Sequence, residues 1–295
     1  MSDAAPSTAH LDAAARYGCA DMVTKLERVL VRRPEKASCG LWAKYGWRSE
    51  PDFEQLSQEH DALCALLESV GAEVVFGGSV THGLDAIYTF DPAIVAPGGA
   101  VVLRAGKDLR LPEAAAVAGD MTAAGIPIVA TLEAPATADG GDTIWLDCRT
   151  LLVGRGYRTN AAGVAALRAA LPDVDVIEFD LPHFHGSDEV MHLLSLVSPV
   201  SHDAAIAYLP LMPVRLVQLF DARGIRLIEV PAEEFETMGP NVLALEPGVV
   251  LALERNRETR RRLERAGIEV LTYEGTELSK GDGGPTCLTR PLLRR

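Results

Sequence analysis

The sequence predicts an α/β fold, a five-bladed α/β-propeller built from pseudo-fivefold ββαβ modules. Three observations carry this. Five segments repeat one outline: an amphipathic helical stretch, then Gly or Asp, then a short β-rich run. Between them recurs a G-x-(Asp/Asn/Thr) step, and a β-hairpin pattern follows the first four copies of that step. The two ends of the chain together supply the one module that is otherwise incomplete.

In chain order the helix–strand pieces are 56–76, 111–131, 160–179, 213–230 and 258–273. Apolar residues at three- and four-residue steps mark their helices, as in Leu63, Leu66 and Leu67 or Leu216, Leu219 and Phe220. Gly71, Gly125, Gly224 and Gly267 stand where a left-handed residue ends a helix, with Asp173 at that place in the third copy. The steps are Gly83-Leu84-Asp85, Gly140-Gly141-Asp142, Gly186-Ser187-Asp188, Gly239-Pro240-Asn241 and Gly284-Pro285-Thr286. DPAIVAPGGAVVLRAG and NVLALEPGVVLALERN show the hairpin pattern, each turning at Pro-Gly. The unit recurs every ~50 residues. CLTRPLLRR at 287–295 opens a module that RVLVRRPEK and 52–76 complete, so a strand at 287–294 should pair with one at 28–33. Left unpaired, both would be open edges. Residues 1–295 therefore read as a single domain, with 1–25 as an N-terminal extension and 37–51, carrying Trp42, Tyr45 and Trp47, as an aromatic insertion.

Composition narrows the function. A net charge of −13 and a pI near 5.0 provide no broad positive field, which argues against nucleic acid as a partner. The five cysteines form no C-x-x-C pair, so neither a disulfide framework nor a structural zinc site is expected. No stretch approaches the roughly 18 uninterrupted apolar residues of a membrane span, and the N-terminus lacks a basic start followed by an apolar run. These features predict a cytoplasmic protein without a membrane partner. Self-association is left open.

In a closed ring, residues at the same end of equivalent strands become neighbours. Near the five steps lie Asp85, Asp91, Asp139, Asp142, Asp188, His192, Asn241 and Cys287. A thiolate is a strong nucleophile, a histidine beside it can protonate a leaving amine, and carboxylates can grip a planar cation. The set suits attack on a guanidinium carbon. Asp142 and Asp188 also fit turn residues bonding their own backbone, and Cys19, Cys39, Cys64 and Cys148 read as small core residues. His183, His185 and Asp188 have metal-like spacing, but no further ligand pair follows. Gly154-Arg155-Gly156 and Asp180 suggest a dinucleotide site. Thr159 at the third glycine position opposes that reading, and the hairpins predict antiparallel strands instead of a parallel sheet.

Over roughly 28–295 the chain resembles the guanidino-group-modifying enzymes of the pentein superfamily. The resemblance rests on DGGDTIW at 139–145, MHLL at 191–194 and GDGGPTCLTRPL at 281–292. It implies that Cys287 attacks the guanidinium carbon, that His192 carries the proton, and that Asp139 orients the substrate. By the same resemblance Asp85 and Asp91 grip the guanidinium, Arg158 holds an amino-acid carboxylate, and Arg110 is a second residue of that kind. The substrate is a small guanidino compound, and neither metal nor organic cofactor is implied. Arginine deiminases of this superfamily carry an aspartate two residues after the histidine, where this chain has Leu194. That departure points to an N-alkylated arginine and a dimethylargininase-like hydrolase. An amidinotransferase, an arginine-type deiminase and a non-catalytic five-bladed binder are the alternatives.

Overall fold

The computed structural model describes residues 15–187 and 191–295. The described residues form five three-stranded sheets, each an antiparallel pair (a hairpin in four of them, β15 with β1 in the other) with one strand joined through helical segments to a parallel third strand. The first sheet contains β1 (Leu26–Val31); after short helices α1 (Lys36–Cys39) and α2 (Trp42–Tyr45) and the long α3 (Phe53–Ser69), β2 (Glu73–Phe76) pairs parallel to β1. The second is β3 (Ala93–Ala96), β4 (Gly99–Val102), α4 (Glu113–Ala123) and β5 (Ile128–Thr131). The third is β6 (Thr143–Asp147), β7 (Thr150–Arg155), α5 (Ala161–Ala170) and β8 (Asp175–Asp180). The fourth is β9 (Val197–Ser201), β10 (Ala204–Ala207), α6 (Val214–Ala222) and β11 (Arg226–Glu229). The fifth is β12 (Leu243–Glu246), β13 (Val249–Leu253), α7 (Arg257–Arg265) and β14 (Glu269–Tyr273). The last strand, β15 (Arg290–Arg294), returns to the first sheet and pairs antiparallel with β1, Leu30 opposite Arg290 and Leu26 opposite Arg294.

Amphipathic spacing explains the helices. Leu63 and Leu67 of α3, Val117 and Met121 of α4, Val164 and Leu167 of α5, Leu216 and Phe220 of α6 and Leu263 of α7 are all buried against strands. Each such side chain stabilises the fold by roughly 1.5–3 kcal/mol. Leu66 and Leu219 sit half-buried at the margins of these stripes. Asp52 and Asn160 cap α3 and α5, accepting the amides of Gln55 and Gly163. After α3, α4, α6 and α7 the chain turns through left-handed Gly71, Gly125, Gly224 and Gly267.

Several expectations need correction. Each sheet contains one parallel pair, because the helix between its second and third strands forms a crossover. Helix α5, in the third copy, ends without a left-handed residue: Leu171 caps it at φ −125°, and Asp173 lies beyond in a turn. The closing strand begins at Arg290, so Cys287 occupies the turn ahead of it. His192 likewise precedes a one-turn helix, Leu193–Ser195, and is not inside a strand. Of the N-terminal extension, Cys19 and Val23 are buried, and Gly18 bridges to Leu293. Among the described residues no helix is long and apolar enough to cross a membrane.

Candidate active site

The turns ahead of β3, β9 and β15 and the loops after β4 and β7 lead to one cavity of about 470 Å³, whose walls include Asp85, Asp91, Arg110, Arg158, His192 and Cys287. Asp85 and Cys287, 202 positions apart in sequence, therefore share one space. Asp139 lies behind this wall, fully buried. Asp188 is outside the described residues.

Cys287 follows a glycine-rich approach with a steric cause: a Cβ on Gly283 would fall 2.2 Å from the ring of Tyr88. The Cys287 carbonyl accepts the amide of Phe90 at 3.1 Å, and Asn241 Nδ2 donates to Sγ at 3.1 Å. Burial, and next the charge of Asp91, push the thiol up to about 11; the bond from Asn241 acts in the opposite direction. These surroundings favour the thiol over the thiolate.

His192 stands between carboxylates. Its Nε2 is 3.2 Å from Asp139 Oδ2 and its Nδ1 is 3.9 Å from Asp91 Oδ1. Burial disfavours the imidazolium, but the charges of Asp91, Asp142 and Asp139 outweigh it and raise the histidine above its ordinary value. Asp139 Oδ1 accepts the Gly106 amide at 2.9 Å, and Oδ2 also lies 3.5 Å from Arg158 Nε. Burial pushes this carboxyl up, and His192 and Arg158 overcome that and hold it well below the carboxylate range. Asp91 follows the same pattern, burial opposed by Arg110 and His192, with a net lowering.

The two arginines differ. Arg158 reaches the cavity with Asp139 as its ionic partner. Arg110 is almost fully buried and directs its donors to Asp91, to both oxygens of Glu113 and to the Tyr88 carbonyl. A buried network of this kind fixes geometry. Asp85 accepts Trp47 Nε1 at 2.8 Å and Lys107 Nζ at 2.7 Å. Asp91, Asp139 and His192 bring ligand-type atoms within 4.8 Å of one another. Arg110 and Arg158 already give those carboxylates cationic partners, so the cluster is an acid–histidine–acid array more than a cation site. His183, considered above for metal spacing, bonds Tyr157 Oη through Nδ1 at 2.8 Å.

Sequence reasoning did not find Tyr45, Tyr88, Lys107 or Tyr157, which also line the cavity. Lys107 precedes Arg110 by one helical turn in RAGKDLR, and that basic spacing after a strand was the available signal. Leu194 is corrected in the other direction. It is 1% exposed, packs in the apolar cluster with Leu196 and Phe220, and is not among the cavity's walls.

An arginine deiminase family model matches residues 210–294. An arginine deiminase of Rhodococcus erythropolis is 34% identical over 192 residues, 54% of this chain and 47% of that protein. The chain thus spans about half the length of the curated relatives it matches first. Among solved structures, the dimethylarginine dimethylaminohydrolase of Pseudomonas aeruginosa, complexed with citrulline, superposes with a TM-score of 0.75 at 20% identity, covering 90% of this chain and 99% of that one. An amidinotransferase of Microseira wollei gives 0.79 at 15% identity, covering 95% and 98%. The chain is thus similar in sequence to arginine deiminases over part of its length, and in fold to these guanidino-group-modifying enzymes of the pentein superfamily. Pentein enzymes of these kinds act on guanidino carbon–nitrogen bonds, and their fold is the one described above. The β7–α5–β8 crossover that suggested a dinucleotide site is one of five repeated copies.

Proposed function

We propose that this chain is a pentein and a cysteine-dependent hydrolase that cleaves a guanidino carbon–nitrogen bond of an arginine-like guanidino acid. We also infer that its five sheets stand as blades around an axis, with the cavity at one end of it. The observation that carries the function is the shared cavity wall of Cys287, His192, Asp91 and Arg158, with Asp139 bonded behind His192.

In this reading the substrate guanidinium lies against Asp91, and its positive charge offsets the carboxylate that holds the Cys287 thiol up. The thiol gives its proton to solvent water, and Sγ bonds to the guanidinium carbon. The imidazolium of His192 gives a proton to the departing nitrogen, the carbon–nitrogen bond breaks, and a thiouronium remains on Cys287. Neutral His192 then takes a proton from water as the oxygen attacks. The carbon–sulfur bond breaks as the new hydroxyl gives its proton to sulfur, leaving a ureido product and a restored thiol. Asp139 keeps the imidazole oriented, Arg158 receives the substrate carboxylate, and Arg110 acts by positioning Asp91.

The test is incubation with arginine, methylated arginines, agmatine and guanidinobutanoate, measuring ureido product and released amine, in the presence and absence of an amine acceptor. Ureido product that disappears in Cys287→Ser, by on the order of 10⁴-fold or more, supports the reading, provided the melting temperature is nearly unchanged. Amidino transfer to the acceptor without ureido product, or substantial turnover by the serine variant, overturns it.

A further inference from the structure

Both oxygens of Asp85 already hold donors. Trp47 Nε1 bonds Oδ1 at 2.8 Å, and the Lys107 ammonium bonds Oδ2 at 2.7 Å. Lys107 Nζ also donates to the Tyr45 carbonyl at 2.6 Å and lies 5.1 Å from the centre of the Tyr45 ring. Trp47 and Tyr45 belong to the 37–51 insertion, which stands outside the repeated modules. The insertion therefore pins an ammonium onto a carboxylate expected to meet a guanidinium. Lys107 remains partly accessible and lines the cavity, yet the proposed chemistry gives it no task.

A resident ammonium changes what the cavity accepts. A cation approaching Asp85 meets a like charge in a confined, partly dry space, where repulsion is stronger than in bulk water. An ammonium has three donors, and Asp85 and Tyr45 use two, leaving one for a ligand. Arg158 comes from backbone packed against the residue preceding Lys107: a Cβ on Gly106 would fall 2.4 Å from the Arg158 carbonyl oxygen. Two cationic side chains rooted in touching backbones thus line the same cavity.

We propose that Lys107 is a specificity-determining residue that selects guanidino acids over guanidino compounds without a carboxylate, by screening Asp85 from added positive charge and donating to the carboxylate. This rests on the guanidino reading above and specifies the substrate class within it.

The test reads binding apart from turnover. Affinities of 4-guanidinobutanoate, arginine and agmatine are measured by calorimetry on full-length Cys287→Ser protein, with Lys107 intact or replaced. Lys107→Met should lower the ratio of agmatine to 4-guanidinobutanoate dissociation constants by about tenfold or more, since a charged hydrogen bond is lost and a repulsion relieved. Lys107→Arg should keep the order of the three ligands. With Lys107 intact the same ratio should fall as salt is raised. An unchanged ratio in folded Lys107→Met, a uniform loss for all three ligands, or a salt-independent ratio overturns the proposal. Failure of the hydrolase reading shows separately, as binding without ureido product from the unaltered protein. Absence of binding by all three ligands defeats both.

Discussion

Asn241 holds Cys287 from the neighbouring module: its Nδ2 donates to Sγ at 3.1 Å while its Oδ1 accepts the Thr286 amide at 3.1 Å. One side chain thus fixes the turn that carries the sulfur and supplies a donor that favours the thiolate. Asn241→Ala removes both contacts. Turnover should fall by about 10- to 100-fold, as expected for a lost hydrogen bond to a charged group. The pH at which iodoacetamide alkylates Cys287 should rise. An unaltered alkylation profile in a folded variant would show that the amide has no hold on the thiolate.

Gly141 leaves room for the histidine. A Cβ there would fall 2.3 Å from His192 Nδ1 and 3.0 Å from Asp91 Oδ1. Gly141→Ala must displace the imidazole, and a misplacement on the scale of 1 Å costs on the order of 100-fold in turnover. The loss should be in kcat more than in KM. Full activity in Gly141→Ala would mean that His192 has a different working position.

The five modules were legible because helix spacing, hairpin turns and the glycine steps repeat, so each copy supports the others. The split module was readable for the same reason, and β1 and β15 pair as that division requires. Charge partners were less legible. Arg110 reads as a ligand for substrate; it does line the cavity, but its pairing with Glu113, one helical turn later on the same buried side, was not read. Lys107 was missed because Asp85 and Tyr45 become its neighbours only through tertiary packing. Leu194 was over-read, since two residues after His192 the one-turn helix already faces the core.

Closure by the C-terminal strand can be tested by removing it. Deleting residues 290–295 strips β1 of its antiparallel partner and removes Leu292 and Leu293, both buried. Burial of two leucines contributes roughly 3–6 kcal/mol, a large share of the roughly 5–15 kcal/mol typical of whole-protein stability. The truncated chain should lose its cooperative melt and aggregate through the exposed edge of β1. A soluble protein with a sharp thermal transition would show that the first sheet does not depend on β15.

Asp142 should make stability depend on pH. It is fully buried, accepting Thr159 Oγ1 at 2.6 Å and the Leu193 amide at 3.1 Å, and burial pushes its carboxyl up from 3.8 to about 7. Between those values the folded protein keeps a proton that the unfolded chain releases. Its contribution is therefore full below about pH 3.8 and is lost as pH rises toward and through 7. The raised His192 acts in the same direction from its ordinary value of 6.5 upward. Asp142→Asn mimics the protonated carboxyl and removes the first of these titrations. Unfolding by urea at pH 4 to 8 should show the variant gaining on the unaltered protein as pH rises, by on the order of 3–4 kcal/mol across the window. Because the Asp142 charge also favours the His192 imidazolium, the alkaline limb of the turnover profile should move to lower pH in the variant. A stability difference that stays flat between pH 4 and 7 would show that Asp142 is ionised in the folded protein throughout that range.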